Sequence, residues 1–415
     1  MIQREKNIYD NLIIYFLILQ AFGGIGDALQ PIRIFIIVLI PWILKFILTH
    51  KSVVIGYSYE IHVFFIWFVY ALISILWVFE PNESIKEVIY LFVNFTGFIL
   101  LIFLSNNAMQ PKESILKGWV WIFIFTLPVA LMELIFDKHL SLAYQSENLL
   151  MNFGDGIVLQ RRFASVTFGN LNGYNTMLMY ITPFLFGSLI KNNDFLKFPK
   201  IISLILIVII SIIIGINSSR AAFVGFLIAL FVFVLFYIKN IKTLIGSGVV
   251  FTAIIGFLFF SNNDFFNLLF TRFDTQGLAD ENRYILVEEG IRELLESGFM
   301  GIGAGDFIPT MEKIKNLNNY SSHNFFLEVL VQYGLIIFVL FIGFFIRIIR
   351  KNRHNEKRYT YITTACLFML PLTFSIDSGY ILTVSTWIFI ASLYIIADYQ
   401  YNFKKYQDNE NIDCE

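Results

Sequence analysis

The sequence predicts an all-α, polytopic membrane protein of about twelve transmembrane helices, and three observations predict it. Of its 415 residues, 57% are hydrophobic and only 15% charged, against about 25% charged in an ordinary soluble domain. The apolar residues gather into runs close to the roughly 20 needed to cross a hydrocarbon core about 30 Å thick. These runs are unbroken rather than alternating in polarity, so they suit helices and not barrel strands, since an unpaired amide in hydrocarbon costs several kcal/mol.

Taken in order, the first run is 8–24. It follows Arg4 and Lys6 and lacks a small-residue cleavage site, so it reads as an uncleaved span. Runs 31–49, 61–79, 88–104 and 115–136 complete an N-terminal group over 1–136. A first long connection, 137–171, precedes a second group, 172–260, with runs 172–190, 200–216, 221–238 and 242–260. A second long connection, 261–324, leads to runs 325–347, 359–376 and 380–397, which form the group 325–397, and a polar tail covers 398–415. With the N-terminus inside, 19 of the 30 Lys and Arg fall on the inner side and only Arg33, Lys86 and Arg220 in short outer connections. The remaining eight sit in the two long connections, which the positive-inside rule largely exempts. Both termini are therefore predicted to be cytoplasmic and both long loops to face outward.

The net charge of −1 gives no bulk basicity for nucleic acid, so none is expected as a partner. Cys366 lies in an apolar run and Cys414 in the polar tail, which argues against a disulfide or a thiolate metal cage. The second long loop contains an amphipathic helix with Tyr284, Val287, Ile291, Leu294 and Leu295 on its apolar face. Asp280 can cap its start and Ser297-Gly298 can end it, and such a helix is expected to lie on the outer membrane surface in contact with lipid.

The outer side collects Arg161, Arg162, Arg220, Arg272, Arg283 and Arg292, together with His323. Arginine presents a planar fork of donors that suits a diphosphate, although any one of these alone is explained as a solvated or headgroup-facing charge. Arg220 stands apart because Asn217-Ser218-Ser219-Arg220 is a tight turn between two spans, where a guanidinium is held at the membrane surface. His323 lies in Ser321-Ser322-His323-Asn324-Phe325-Phe326, just before a span; a lone histidine there is ordinarily an interfacial residue. No second histidine stands at ligand spacing and no Asp-x-Asp pair occurs, so neither a metal nor another cofactor is expected. Gly301-Ile302-Gly303-Ala304-Gly305-Asp306 lacks the Lys-Ser/Thr of a phosphate loop and follows a helix rather than a strand, so it reads as a tight turn returning the chain to the membrane.

Taken together, these stretches resemble the O-antigen ligase and polymerase superfamily. His323-Asn324, nine residues, then Gly334 is similar to that family's His-Asn-x9-Gly signature, although Ile337 stands where a second glycine is commonly found. Arg162-Phe163 with Phe168-Gly169-Asn170-Leu171-Asn172, Ser219-Arg220, Arg283, and Gly301 through Phe307 agree as well, so the resemblance covers about 160–345. It implies a multi-span glycosyltransferase fold of the GT-C type and transfer of an oligosaccharide from an undecaprenyl-diphosphate donor at the outer face of a bacterial inner or cytoplasmic membrane. The acceptor is a second lipid-linked repeat unit in a polymerase of O-antigen or capsule, or lipid A core in a ligase. Membrane lipids and a chain-length regulator are the other partners it implies. Arg162…Gly173 and Arg292…Gly303 are similar to an Arg-x10-Gly spacing of some polymerases, which favours polymerase.

Breaking a sugar–diphosphate bond leaves negative charge on the departing diphosphate, and a neutral hydroxyl must lose a proton. Two unit charges 4 Å apart interact by about 4 kcal/mol at an effective dielectric of 20, so fixed cations are the simplest catalysts. Arg220 and Arg283 with His323 are the expected catalytic set, with Arg161, Arg162, Asn172, Arg292 and Asn324 as substrate-binding residues. His323 either takes the acceptor's proton or hydrogen-bonds the diphosphate. Inversion at the anomeric carbon is what the resemblance implies. A transporter of the same lipids would instead carry ionisable groups near mid-span, whereas Glu133, Glu328 and Asp377 lie near span ends. A membrane scaffold would need no Arg/His geometry at all.

Overall fold

The computed structural model describes residues 2–25, 29–49, 58–140, 150–153, 157–160, 162–190, 200–237, 281–313 and 322–398. Helices dominate: α1 (Ile2–Ile18), α2 (Pro31–Thr49), α3 (Ser58–Ser74), α4 (Pro81–Asn107), α5 (Pro111–Phe136), α6 (Leu171–Ile190), α7 (Lys200–Ile216), α8 (Arg220–Tyr237), α9 (Glu281–Glu296), α10 (Phe307–Lys313), α11 (Phe325–Lys351), α12 (Lys357–Thr373) and α13 (Val384–Ala397). A small antiparallel hairpin, β1 (Leu150–Phe153) with β2 (Ile157–Gln160), interrupts the first long connection, pairing Leu150 with Gln160. Every predicted span except 242–260, which lies outside the described residues, coincides with a helix.

The expectation of twelve spans needs correction. Among the described residues, α4, α5, α8 and the helix from Phe325 are long and apolar enough to cross a membrane, and five other apolar helices are shorter. The predicted stretches at α6 and α12 are helical but fall in neither group, because Asn172, Asn175 and Thr176 dilute the first and Lys357, Arg358 and Thr360 the second.

The helices are apolar outside and partly polar inside, the reverse of a soluble bundle. Ile201, Leu204, Ile205, Val208 and Ile212 form an exposed stripe along α7, while Glu60, Asn94, Thr126, Glu133, Asn175 and Asn217 are buried and hydrogen-bonded. These groups pair with backbone or with one another because the hydrocarbon offers no partner.

The described chain divides into two units, one of residues 1–122, 281–355 and 377–415 and one of 123–280 and 356–376. In the first, α4 packs along α13, and α3 lies against α4 and α11. Its core is aromatic. Trp67 and Trp387 meet at 5.4 Å, Phe64 and Phe95 at 4.6 Å, and Phe95 and Trp387 at 4.8 Å. Edge-to-face and offset ring pairs of this kind add roughly 0.5–1.5 kcal/mol each beyond burial. In the second unit α12 lies on α6 and α8. Gly187 lets α12 approach α6 and Gly225 lets α8 approach α6, since a Cβ on them would meet Ile362 and Met179, respectively.

Within the first unit the connections separate into two groups at opposite ends of α4, α11 and α13. One end joins Asp10 to the backbone of Met109 and Gln110 (3.1 and 3.0 Å), Lys112 to Asn355 (2.8 Å) and Lys351 to Asp398 (2.6 Å). The other joins Arg33 to the carbonyl of Leu382 (2.9 Å) and Asp306 to the turn before α4. These groupings are those into which the Lys and Arg count sorts the same connections.

Candidate active site

In the second unit, Arg220 is the first residue of α8 and is half-buried. The turn before it is fixed by Asn217, fully buried, whose Oδ1 accepts the Ala164 N–H (2.8 Å) and whose amide donates to the Ala164 carbonyl (3.0 Å) and to Asn175 Oδ1 (2.9 Å). Ser218 takes up a left-handed backbone with φ 47°, which turns the chain sharply into α8. One side chain thus ties together the α7–α8 turn, α6 and the segment after Arg162. That segment is held again by Glu133, 0% exposed near the end of α5, which accepts the N–H groups of Ser165 (2.7 Å) and Val166 (2.9 Å). His139 lies 3.2 Å from the same carboxylate and stacks on Phe163 at 4.5 Å.

Arg162 itself is exposed and donates to the carbonyls of Ile135 (2.8 Å) and Leu134 (3.3 Å), satisfying the last turn of α5. Asn172 is the second residue of α6 and half-buried; the neighbouring Asn170 caps the helix by accepting from Gly173 N (2.6 Å). Arg161 and Arg272 lie outside the described residues.

In the first unit, His323 occupies the turn into α11 with φ 44°, a strained backbone for a residue other than glycine. It is framed on both sides. Ser322 Oγ donates to Glu328 Oε1 (2.8 Å) and accepts from Asn324 N (3.1 Å), and Asn324 caps α11 by accepting the Leu327 N–H (3.1 Å). The structure thus gives Asn324 a capping role that the sequence reading did not foresee.

The signature glycine explains itself in the same place. Gly334 breaks α11 with φ 74° and ψ 178°, a region open essentially to glycine. The carbonyls that the break releases are taken by the chain after α9: Ile302 N donates to Val331 O and Gly303 N to Gln332 O, both at 2.9 Å, while Leu335 N donates to Phe299 O (3.0 Å). A Cβ on Gly334 would stand 2.3 Å from Met300 O, and one on Gly301 would stand 2.6 Å from Gln332 O. The Gly301–Asp306 stretch is a tight turn, as expected, and it straps the broken helix. Asp306 then anchors the strap by accepting from Phe79 N (2.8 Å) and Glu80 N (2.9 Å).

Helix α9 departs from expectation in which face it buries. Leu286 and Leu294 are 1% and 4% exposed, with Leu286 against Phe307, Met311, Leu327 and Val331, and Gly290 lets the helix approach Val331. Tyr284 and Leu295 are 68% and 54% exposed. Of the expected apolar face, only Leu294 turns inward; Tyr284, Val287, Ile291 and Leu295 form a second apolar stripe that points outward. The Ser297-Gly298 stop is observed, with Gly298 at φ 63° and Phe299 N donating to Leu294 O (2.9 Å). The expected Asp280 cap and the Arg283 side chain lie outside the described set. Arg292 is exposed and paired with Glu289 at 3.2 Å, an ordinary i,i+3 surface pair.

Sequence reasoning missed Glu133, His139 and Asn217 as partners in these networks. The available signal was a polar residue placed close to a span end, where hydrocarbon offers no alternative partner.

Residues 205–342, which run from α7 to most of α11 and include Arg220, Arg283, His323 and Gly334, match the protein family described as O-antigen ligase. The chain resembles the O-antigen ligase/polymerase superfamily. It is also similar to the teichuronic acid biosynthesis protein TuaE of Bacillus subtilis (strain 168), 23% identical over 356 residues that cover 79% of this chain and 69% of that protein. Together with the apolar helices, these findings support a membrane-embedded protein with an O-antigen ligase/polymerase-type glycan-processing function.

Proposed function

We propose that the chain is a repeat-unit polymerase of O-antigen or capsule type. It transfers an oligosaccharide from an undecaprenyl-diphosphate donor to a lipid-linked acceptor at the outer face of the cytoplasmic membrane, with both termini inside. The observation that carries this reading is the treatment of the two signature residues. Arg220 opens a helix on a turn clamped by buried Asn217, and His323 is held in a strained backbone by Ser322, Glu328 and the Asn324 cap. Strain kept at one imidazole by surrounding hydrogen bonds is characteristic of functional positions.

In the proposed reaction the acceptor hydroxyl attacks the anomeric carbon, inverting it, as the carbon–oxygen bond to the diphosphate breaks. His323 takes the hydroxyl proton, or hydrogen-bonds the diphosphate while the proton passes to the departing diphosphate itself, and Arg220, with Arg283 and Arg162 or Arg161, stabilises the charge on the departing diphosphate. No metal or other cofactor enters the scheme. A chain-length regulator is proposed as a protein partner. The printed role of the relative, teichuronic acid biosynthesis, suits a polymer-forming enzyme. The Arg292…Gly303 spacing lends less support, because Arg292 pairs with Glu289 and Gly303 is required by the strap.

A ligase reading, with lipid A core as acceptor, is favoured by the description of the matching family. Proteoliposomes containing the purified chain and a lipid-linked repeat unit, without ATP and with chelator present, distinguish the two: a polymerase gives a ladder without added core. Arg220→Ala and His323→Ala are each expected to slow lipid-linked substrate consumption at least 100-fold. Consumption at the normal rate by both variants, correctly inserted, refutes the proposed site.

A further inference from the structure

Beside the turn that carries His323, the first unit contains a cavity of about 390 Å³ whose role the proposed reaction leaves unassigned. Its size falls in the range of small-molecule sites, roughly 300–1,000 Å³. The elements that build it are the start of α4, the Gly305–Glu312 segment, the first turns of α11 and the 379–382 turn. The sequence reading assigns all four to the outer side.

The inner wall is polar. Glu328 and Glu87, both buried, accept from the Ser322 hydroxyl (2.8 Å) and the Gly379 backbone, and from the Tyr333 hydroxyl and the Gly305 backbone, respectively. Gln332, 4% exposed, lines the same cavity. Its Oε1 accepts the Gly305 N–H at 2.5 Å, which fixes the orientation of the amide because only the oxygen can accept. The NH2 group takes no part in that bond and belongs to a side chain that lines the cavity. A ligand that accepts from it gains a hydrogen bond worth about 0.5–1.5 kcal/mol net.

A group that satisfies this wall must accept from the amide and donate to the carboxyl oxygens beside it, and a hydroxyl does both. Several hydroxyls at fixed spacing on one small ring are the hallmark of a sugar. The rim selects further. Glu80, Glu83 and Glu312 line it with one cation among the described residues, Lys86, which pairs with Glu83 at 3.2 Å. A ligand carrying its own carboxylate meets like charge at that rim.

We propose that this cavity seats one uncharged sugar residue of the glycan and makes the enzyme discriminate against uronate at that position. The identity of the glycan rests on the polymerase reading above; the cavity and its preference do not.

The test uses the full chain in nanodiscs and reads binding by saturation-transfer NMR, with lactose, N,N′-diacetylchitobiose and cellobiouronic acid as probes. At least one of the two neutral sugars is expected to bind, and the uronate-capped disaccharide to bind at least ten-fold more weakly. Gln332→Glu keeps the acceptor for Gly305 and removes the donors, and is expected to weaken binding of the neutral sugar roughly ten-fold. Ile308→Trp, at an exposed rim position, is expected to block the cavity without touching the core. Binding of neutral and acidic sugars alike, wild-type affinity in both variants, or no binding of either neutral sugar overturns the proposal. If sugars bind as expected while lipid-linked substrate is never consumed, the polymerase reading fails and the cavity assignment stands.

Discussion

Replacing Gly334 by alanine is the most direct probe of how the signature sequence shapes the site. The backbone at φ 74°, ψ 178° costs a residue with a Cβ about 1–3 kcal/mol. The added carbon would also stand 2.3 Å from Met300 O and 2.5 Å from Phe299 O, which are backbone atoms with no flexible end to yield. Relief of that contact must move the strap, and the strap is held by three backbone hydrogen bonds, from Ile302, Gly303 and Leu335. At about 1 kcal/mol each, their loss brings the total to roughly 4–6 kcal/mol. Gly298→Ala is the matched control, because Gly298 also has a positive φ, 63°, but a Cβ there has nothing within 4 Å; its cost is only the left-handed backbone, roughly 1–2 kcal/mol. Thermal unfolding of the purified protein in detergent, followed by fluorescence-detected size exclusion, should rank Gly334→Ala far below Gly298→Ala. Equal melting of the two variants would refute the strap as the reason for the glycine.

Other consequences can be measured in the same way. Asp306→Asn removes charge-assisted acceptance from Phe79 N and Glu80 N and should cost about 1.5–3 kcal/mol in detergent melts; a change below 0.5 kcal/mol would contradict the anchor. Glu133→Gln places an amide beside the N–H groups of Ser165 and Val166, and should lower both stability, by roughly 1–3 kcal/mol, and any transfer activity that depends on Arg220. Leu286→Ala on α9 should destabilise by about 2–5 kcal/mol and Ile291→Ala by no more than about 0.5, a contrast that reverses if the helix buries the other face.

Apolar run length made most helices legible, and the Lys and Arg count grouped the connections at the two ends of the first unit as the structure groups them. Helix α9 was legible only in part. Its sequence is apolar on two sides, and periodicity measures how apolar residues are arranged without saying which side meets protein; the inward side is chosen by Gly290 and the small cluster around Leu286, Phe307 and Met311. The break in α11 was hidden because a single glycine in an apolar run predicts nothing by itself, and its strap comes from residues about 30 positions upstream. His323, Asn324 and Arg220 were found through a local signature. Asn217, Glu133 and Gln332 were not, because their partners are distant in sequence, and pairing across such distances leaves no trace in one chain.

The interruption at Gly334 also separates two tasks that a continuous helix would fuse. The first part of α11, from Phe325 to Tyr333, is moored to residues 299–303 through its own carbonyls, whereas the part that follows is a long apolar stretch. The depth at which the imidazole sits is therefore gauged by the strap and not by the length of the hydrophobic stretch behind it. Adding or removing a turn within 338–350 shifts the thickness of bilayer that the helix matches while leaving His323 where the strap holds it.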